Sequence, residues 1–290
     1  MTPTDLNIYQ TNRCNYNCSH CLREHRSFDS VPDVATKLLS KVLDTFPTIR
    51  SACVAGFGEP LCSKVVFDNI RYLISRKVGT SLITNGSLVS ARFDEMIGIK
   101  FEYVNISVNA LPETKYQEIT GMNTFQTVLE GIRKLVSLKS FPVTMSYVCF
   151  KNNVDDIPQF ITLCNECNIS YGVVVNNLPY DESCLSGIIR DTDKYIIEKI
   201  NQYKTLPGAK IIRKWPIPVK TEPNRKCNSP VMSIGINGAG LFTGCRRCLP
   251  PSEPFDKKCW ESKYINELRR SVKGNGIYSK YCNHCFGNSK

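Results

Sequence analysis

The chain has 290 residues, 42% of them apolar and 22% charged, with a formal net charge of +11; it can bury a full core, and no run of eighteen apolar residues offers a membrane-spanning helix. Its 15 cysteines follow an opening, Met1 to Ile8, that lacks the basic patch and apolar run of a secretory leader, so they read as metal ligands rather than as disulfides. A secreted disulfide scaffold and a membrane protein are set aside, and a cytoplasmic protein is expected.

From Asp5 onward short β-rich runs alternate with amphipathic helical runs, the pattern of βα units building a parallel sheet. Strands are predicted at 5–9, 52–56, 80–84, 103–108, 143–149 and 170–175. The helices between them carry apolar stripes at the 3.6-residue period, such as Leu38, Leu39, Val42, Leu43 and Phe46, or Phe125, Val128, Leu129, Ile132, Leu135 and Val136. Ile157, Phe160, Ile161, Cys164 and Cys167 form another stripe, which makes the last two cysteines core residues despite their CxxC spacing. Six βα units are fewer than the eight of a closed barrel, so the predicted fold is α/β, a partial (β/α)6 TIM-like barrel with one open side. After Asn176 the alternation fails: a helix is predicted at 191–203, then a Pro-rich linker at 206–223, then a Cys-rich tail. Two domains are therefore expected, 1–205 and 206–290. Charge is divided the same way, with 20 basic against 21 acidic residues over 1–202 and 17 against 5 over 203–290.

Three cysteines spaced Cys14-x3-Cys18-x2-Cys21 directly follow the first predicted strand, in a polar loop able to wrap an inorganic core. A structural zinc site wants four protein ligands, and His20 or His25 could supply the fourth. An iron-sulfur cluster with one open iron could instead bind a small molecule there. At the end of the second strand stands Gly56-Phe57-Gly58-Glu59-Pro60, a turn in which backbone can approach a ligand closely and Glu59 can accept hydrogen bonds from an ammonium group. Thr84, Asn85 and Gly86 close the third strand, and Ser107 and Asn109 the fourth, at the carboxyl edge where barrel sites are built.

These motifs resemble those of the radical S-adenosylmethionine (SAM) superfamily: CxxxCxxC after strand one, with aromatic His20 before the last cysteine, and a GGEP-like turn with Phe57 at its first position. The resemblance implies a [4Fe-4S] cluster on Cys14, Cys18 and Cys21, with SAM chelated at the fourth iron. One electron from a flavodoxin- or ferredoxin-type reductant would cleave SAM to methionine and a 5′-deoxyadenosyl radical that abstracts hydrogen from a substrate. Phe57, Gly58, Glu59 and Pro60 would meet the methionine amino group. Thr84, Asn85, Ser107 and Asn109 resemble positions that touch the ribose and methionine parts, although many relatives carry Asp where Asn109 stands.

A second set, Cys227, Cys245, Cys248, Cys259, Cys282 and Cys285, lies near the end of the chain. Cys227, Gly240 and Cys245 are spaced as in the opening of SPASM and twitch domains, auxiliary-cluster extensions of the same superfamily. The shorter twitch pattern implies a second, auxiliary [4Fe-4S] cluster on Cys227, Cys245, Cys282 and Cys285, with Gly238 and Gly240 turning a tight hairpin ahead of Cys245. Cys245 with Cys248 and Cys282 with Cys285 also form the double CxxC of a zinc ribbon. Cys248 and Cys259, spare in the twitch arrangement, are candidate hydrogen-atom donors. The function expected is hydrogen abstraction from a small polar substrate, completed as dehydrogenation or epimerisation. The basic tail points to an anionic substrate, with Arg246, Arg247, Arg269 and Arg270 as candidate contacts. Radical modification of a nucleic acid or peptide is the alternative, and a non-catalytic iron-sulfur or zinc protein binding nucleic acid is the alternative of another class.

Overall fold

Successive residues of a strand face opposite sides of its sheet, and β1 (Asp5–Tyr9) shows this, with Leu6 and Ile8 each 1% exposed and Asp5 and Asn7 between them only half-buried. The structure is a computed structural model that describes residues 2–21, 23, 31–176, 187–218, 232–244 and 252–273. The chain divides into two compact units.

The first unit comprises Met1–Asn15, Phe28–Leu82 and Pro223–Lys290. In it β1 pairs in parallel with β2 (Ser51–Ala55), and β2 in parallel with β3 (Gly79–Thr84) as far as Leu82. Two helices connect these strands, α1 (Thr36–Thr45) and α2 (Val66–Ser75), burying Leu39, Val42 and Leu43, and Phe67, Ile70 and Leu73. On its other side β1 takes a strand from the distant carboxyl-terminal region, pairing in parallel with β8 (Ser233–Asn237) from Asp5↔Ser233 to Tyr9↔Asn237. β8 turns through residues 238–240 into antiparallel β9 (Leu241–Thr243), which pairs with β10 (Glu253–Pro254). The expected hairpin is thus present, and a Cβ on Gly238 would collide with the Pro32 carbonyl oxygen, so only glycine lets the turn lie there. α8 (Lys263–Lys273) follows, with Tyr264, Ile265 and Leu268 buried.

The second unit comprises Tyr16–Ser27 and Ile83–Glu222. Its strands β4 (Val104–Ser107), β5 (Val143–Cys149), β6 (Tyr171–Asn176) and β7 (Ile212–Lys214) are consecutive parallel neighbours. They are interleaved with α3 (Phe93–Met96), α4 (Glu113–Thr120), α5 (Phe125–Leu138), α6 (Ile157–Glu166) and α7 (Lys194–Tyr203). Cys164 and Cys167 are buried, as the stripe on α6 predicts. The stretch 206–223, expected as a linker, instead carries a 3-10 turn (Ala209–Ile211) and β7. A three-residue strand is too short to show a period, and it adds to β6 because Ile212 can be buried there, at 5% exposure. Among the described residues no helix is long and apolar enough to cross a membrane.

Candidate active site

Because β1 and β2 are parallel, the loops that follow them leave the same edge of the sheet, and the first unit brings them into direct contact. The Gly58 amide donates to the Thr11 carbonyl at 3.1 Å, and the Glu59 amide to the Arg13 carbonyl at 2.8 Å. A Cβ on Gly58 would strike the carbonyl oxygens of Arg13 and Thr11, so this backbone-on-backbone contact requires glycine. Phe57 stacks on Tyr9 with ring centroids 5.1 Å apart. Glu59, 2% exposed, caps the 3-10 turn Pro60–Cys62 by accepting the Leu61 amide at 2.9 Å. Cys14 is partly exposed. Cys62 escaped the sequence reading, although it stands two residues beyond Pro60; its thiol lies 4.0 Å from Asn15 Oδ1. Burial raises its pKa, and the negative charges of Glu59 and Cys14 add to the effect.

In the second unit the segment bearing Cys18 and Cys21, both partly exposed, is tied to α4. The amides of Asn17 and Ser19 donate to Thr120 and Ile119 carbonyls at 3.2 and 2.9 Å. The Tyr16 hydroxyl lies 2.9 Å from that of Tyr116 and also meets Thr124 Oγ1. Burial pushes the Tyr16 pKa up. Both tyrosines are anchors that spacing alone did not expose.

His20 Nε2 lies 3.3 Å from Asn109 Nδ2, and its ring packs edge-on against Phe150. Burial pushes the His20 pKa down to about 4, so the ring is neutral at pH 7 and Nε2 can accept from the amide. Among the described residues His20 Nδ1 and Asn109 Oδ1 are buried with no hydrogen-bond partner. Such orphaned atoms are costly unless a further group satisfies them. Thr84 and Asn85 make local turn contacts: Thr84 Oγ1 accepts the Gly86 amide, and Asn85 Oδ1 accepts the amide and hydroxyl of Ser87. Ser107 Oγ lies 3.5 Å from Ser146 Oγ.

Of the carboxyl-terminal candidates, Cys259 is buried, and burial pushes its thiol up to about 12. The Arg269 guanidinium lies over the Trp260 ring, 4.9 Å from its centroid. Cys227, Cys245, Cys248, Cys282, Cys285, Arg246, Arg247, His25 and the side chain of Arg270 lie outside the described residues. Among the described residues no group of three or more His, Cys, Asp or Glu side chains stands gathered as a metal site.

The donors present fit a thiolate-held cluster with one open iron and a small amino-acid-bearing cofactor. Three partly exposed thiols fall within eight residues of sequence; in the first unit Gly58 keeps its turn clear of side chain, and in the second His20 and Asn109 each keep a buried polar atom without a partner among the described residues. Residues 8–164 match the family model of the Radical SAM superfamily. The chain is 29% identical over 179 residues to a probable GTP 3′,8-cyclase of Pyrococcus horikoshii, covering 61% of this chain and 57% of that protein. A probable GTP 3′,8-cyclase of Saccharolobus islandicus is 25% identical over 249 residues, covering 80% of this chain and 78% of that protein. Among solved structures, Streptococcus suis SuiB bound to its precursor peptide SuiA superposes with a TM-score of 0.74 at 14% identity, covering 99% of this chain and 72% of SuiB. That likeness shows the α/β fold with a parallel sheet, the partial barrel that the sequence predicts.

Proposed function

We propose a function on the premise that this chain belongs to the radical SAM superfamily: it is an enzyme that abstracts hydrogen from an anionic, phosphate-bearing substrate. One observation carries the reading, the docking of the Gly58 and Glu59 amides on the carbonyls of Thr11 and Arg13, which seats the Gly-Glu-Pro turn against the start of the three-cysteine loop. Cys14, Cys18 and Cys21 would hold a [4Fe-4S] cluster as thiolates. When bound, cluster and SAM supply one-electron cleavage of the sulfonium to methionine and a 5′-deoxyadenosyl radical. The chain's own residues bind and orient. Glu59 offers a buried carboxylate to an ammonium group, and Gly58 keeps its turn clear of side chain. His20 and Asn109 offer Nδ1 and Oδ1 as hydrogen-bonding atoms held in place by the contact between them. Phe57, Pro60, Thr84, Asn85 and Ser107 complete the cofactor-binding set by resemblance.

Within 206–290, Cys227, Cys245, Cys282 and Cys285 would hold a second [4Fe-4S] cluster, a reading supported by their spacing. Cys259, whose thiol burial pushes up to about 12, is one candidate hydrogen-atom donor; Cys248 is the other. An external flavodoxin- or ferredoxin-type protein would supply the electron. The 17 basic against 5 acidic residues over 203–290 favour an anionic substrate. The cyclase names of the relatives make GTP the first compound to try. Dehydrogenation or epimerisation of another small anionic compound is the second reading, favoured by the twitch-like layout of the late cysteines.

The test is anaerobic incubation of reconstituted protein with dithionite, SAM and GTP, with 5′-deoxyadenosine and nucleotide products followed by mass spectrometry. Wild type should release 5′-deoxyadenosine and a Cys14, Cys18, Cys21 triple Ala variant none. Equal amounts from both would sink the radical reading. Release from wild type with GTP left unchanged would move the search to other phosphorylated compounds.

A further inference from the structure

A buried asparagine on the apolar face of a helix is costly unless all its hydrogen-bonding capacity is used, and Asn69 on α2 is 0% exposed among Phe67, Ile70 and Leu73. Both N–H groups and the oxygen of its amide are paired. Nδ2 donates to the Val34 carbonyl at 2.7 Å and to Gln10 Oε1 at 3.1 Å, while Oδ1 accepts from Thr36 Oγ1 at 2.8 Å. Gln10, also 0% exposed, donates from Nε2 to Ser63 Oγ at 3.0 Å and to the Val34 carbonyl at 3.3 Å.

Gln10 and Val34 are the two residues that bracket the segment carrying Cys14, Cys18 and Cys21. Their backbones are bonded as well, the Val34 amide donating to the Gln10 carbonyl at 2.9 Å. One turn further out, Arg13 Nη2 meets Asp33 Oδ2 at 2.6 Å. The two ends of that segment are therefore tied together by a side chain from outside it, in the same unit whose Gly58 and Glu59 amides hold Thr11 and Arg13. At position 69 a carboxylate would face two carbonyl-type oxygens, and an aliphatic side chain would leave them short of a donor.

We propose that Asn69 is a positioning residue, acting with Gln10 to close the neck of the three-cysteine loop so that the loop retains its cluster. The retention half of this rests on the radical SAM reading; the closure half does not. The experiment uses the full chain in three variants. Asn69→Leu removes the clamp, Ser63→Ala weakens it by taking one partner from Gln10, and Ile70→Val destabilises the same helix while leaving the clamp intact.

In iron-free protein, hydrogen exchange of the Val34 amide should accelerate at least about tenfold in Asn69→Leu and by less in Ser63→Ala. Ile70→Val should leave it unchanged. In reconstituted protein, at temperatures matched to each variant's melting midpoint, iron release to a chelator should follow the same order. The electron paramagnetic resonance signal that responds to added SAM should be lost first in Asn69→Leu. Val34 exchange that is unaltered in both clamp variants overturns the proposal whether or not a cluster binds. Faster exchange with iron release equal to that of Ile70→Val overturns the retention role. Should Asn69→Leu fail to fold, Ser63→Ala carries the same comparison. Iron content unaffected by triple Ala substitution of Cys14, Cys18 and Cys21 would count against the cluster reading itself, and Val34 exchange would still decide closure.

Discussion

Burial sorts the cysteines chemically. Thiolates, not thiols, react with alkylating agents, and burial raises the Cys149 and Cys259 thiols to about 12. At pH 8 their thiolate fraction falls about a thousandfold below that of an ordinary thiol. Iodoacetamide acting on native, iron-free protein should therefore modify Cys14, Cys18 and Cys21, which are partly exposed, and leave Cys149 and Cys259 unmodified by peptide mass spectrometry. Reconstitution should then protect the first three; alkylation of Cys259 at the rate of Cys21 would contradict the packing. Glu59 separates two roles in the same way. Its carboxylate caps the Pro60–Cys62 turn through the Leu61 amide, a bond that Glu59→Gln can keep and Glu59→Ala cannot. Glu59→Ala should cost about 1 kcal/mol in urea unfolding, whereas Glu59→Gln should unfold near wild type. Both should weaken SAM binding at least about tenfold if the carboxylate meets the methionine ammonium. SAM affinity unchanged in Glu59→Gln would leave Glu59 a turn cap only.

Elements were legible where their pattern is local. The predicted 5–9 and 143–149 match β1 and β5, and 80–84 lies one residue inside β3, because short runs carrying β-branched, aliphatic and aromatic residues are a local strand signal. β7 was hidden in a Pro-rich stretch. The parallel pairing of β8 with β1 joins positions more than two hundred residues apart, which no window of sequence reveals. The site divides likewise. Cys14, Cys18 and Cys21 announce themselves by their CxxxCxxC spacing, whereas Asn69 lies 59 residues from Gln10 and looks like an ordinary helix residue. The β8–β9 turn offers a test at this scale. Gly238 sits against the Pro32 carbonyl, while Gly240 has φ +73 and, among the described residues, a Cβ there would meet nothing within 4 Å. Gly240→Asn should therefore be mild, since asparagine tolerates the left-handed region. Gly238→Ala must push backbone aside and should cost about 2 kcal/mol or more. Equal urea midpoints for the two variants would show that the turn yields without cost.

At the scale of the whole molecule, the basic excess lies at the carboxyl-terminal end together with six of the 15 cysteines, and metal content decides how the two relate. If Cys227, Cys245, Cys282 and Cys285 hold a second cluster, their thiolates offset part of the basic excess, and the surplus is left to attract an anionic substrate. If Cys245, Cys248, Cys282 and Cys285 instead form a zinc ribbon, the basic region is a binding module of the kind that nucleic acid favours. Iron and acid-labile sulfide should reach about eight per chain after anaerobic reconstitution, falling to about four when Cys14, Cys18 and Cys21 are replaced by Ala. Replacing the four late cysteines should also leave about four, with the SAM-responsive electron paramagnetic resonance signal kept. About four iron in wild type, none in the first variant and one zinc throughout would remove the auxiliary cluster and retain the radical centre. In that case 5′-deoxyadenosine release should rise on adding RNA or DNA rather than GTP, and it should weaken as salt increases, because phosphate contacts lose counterion-release energy.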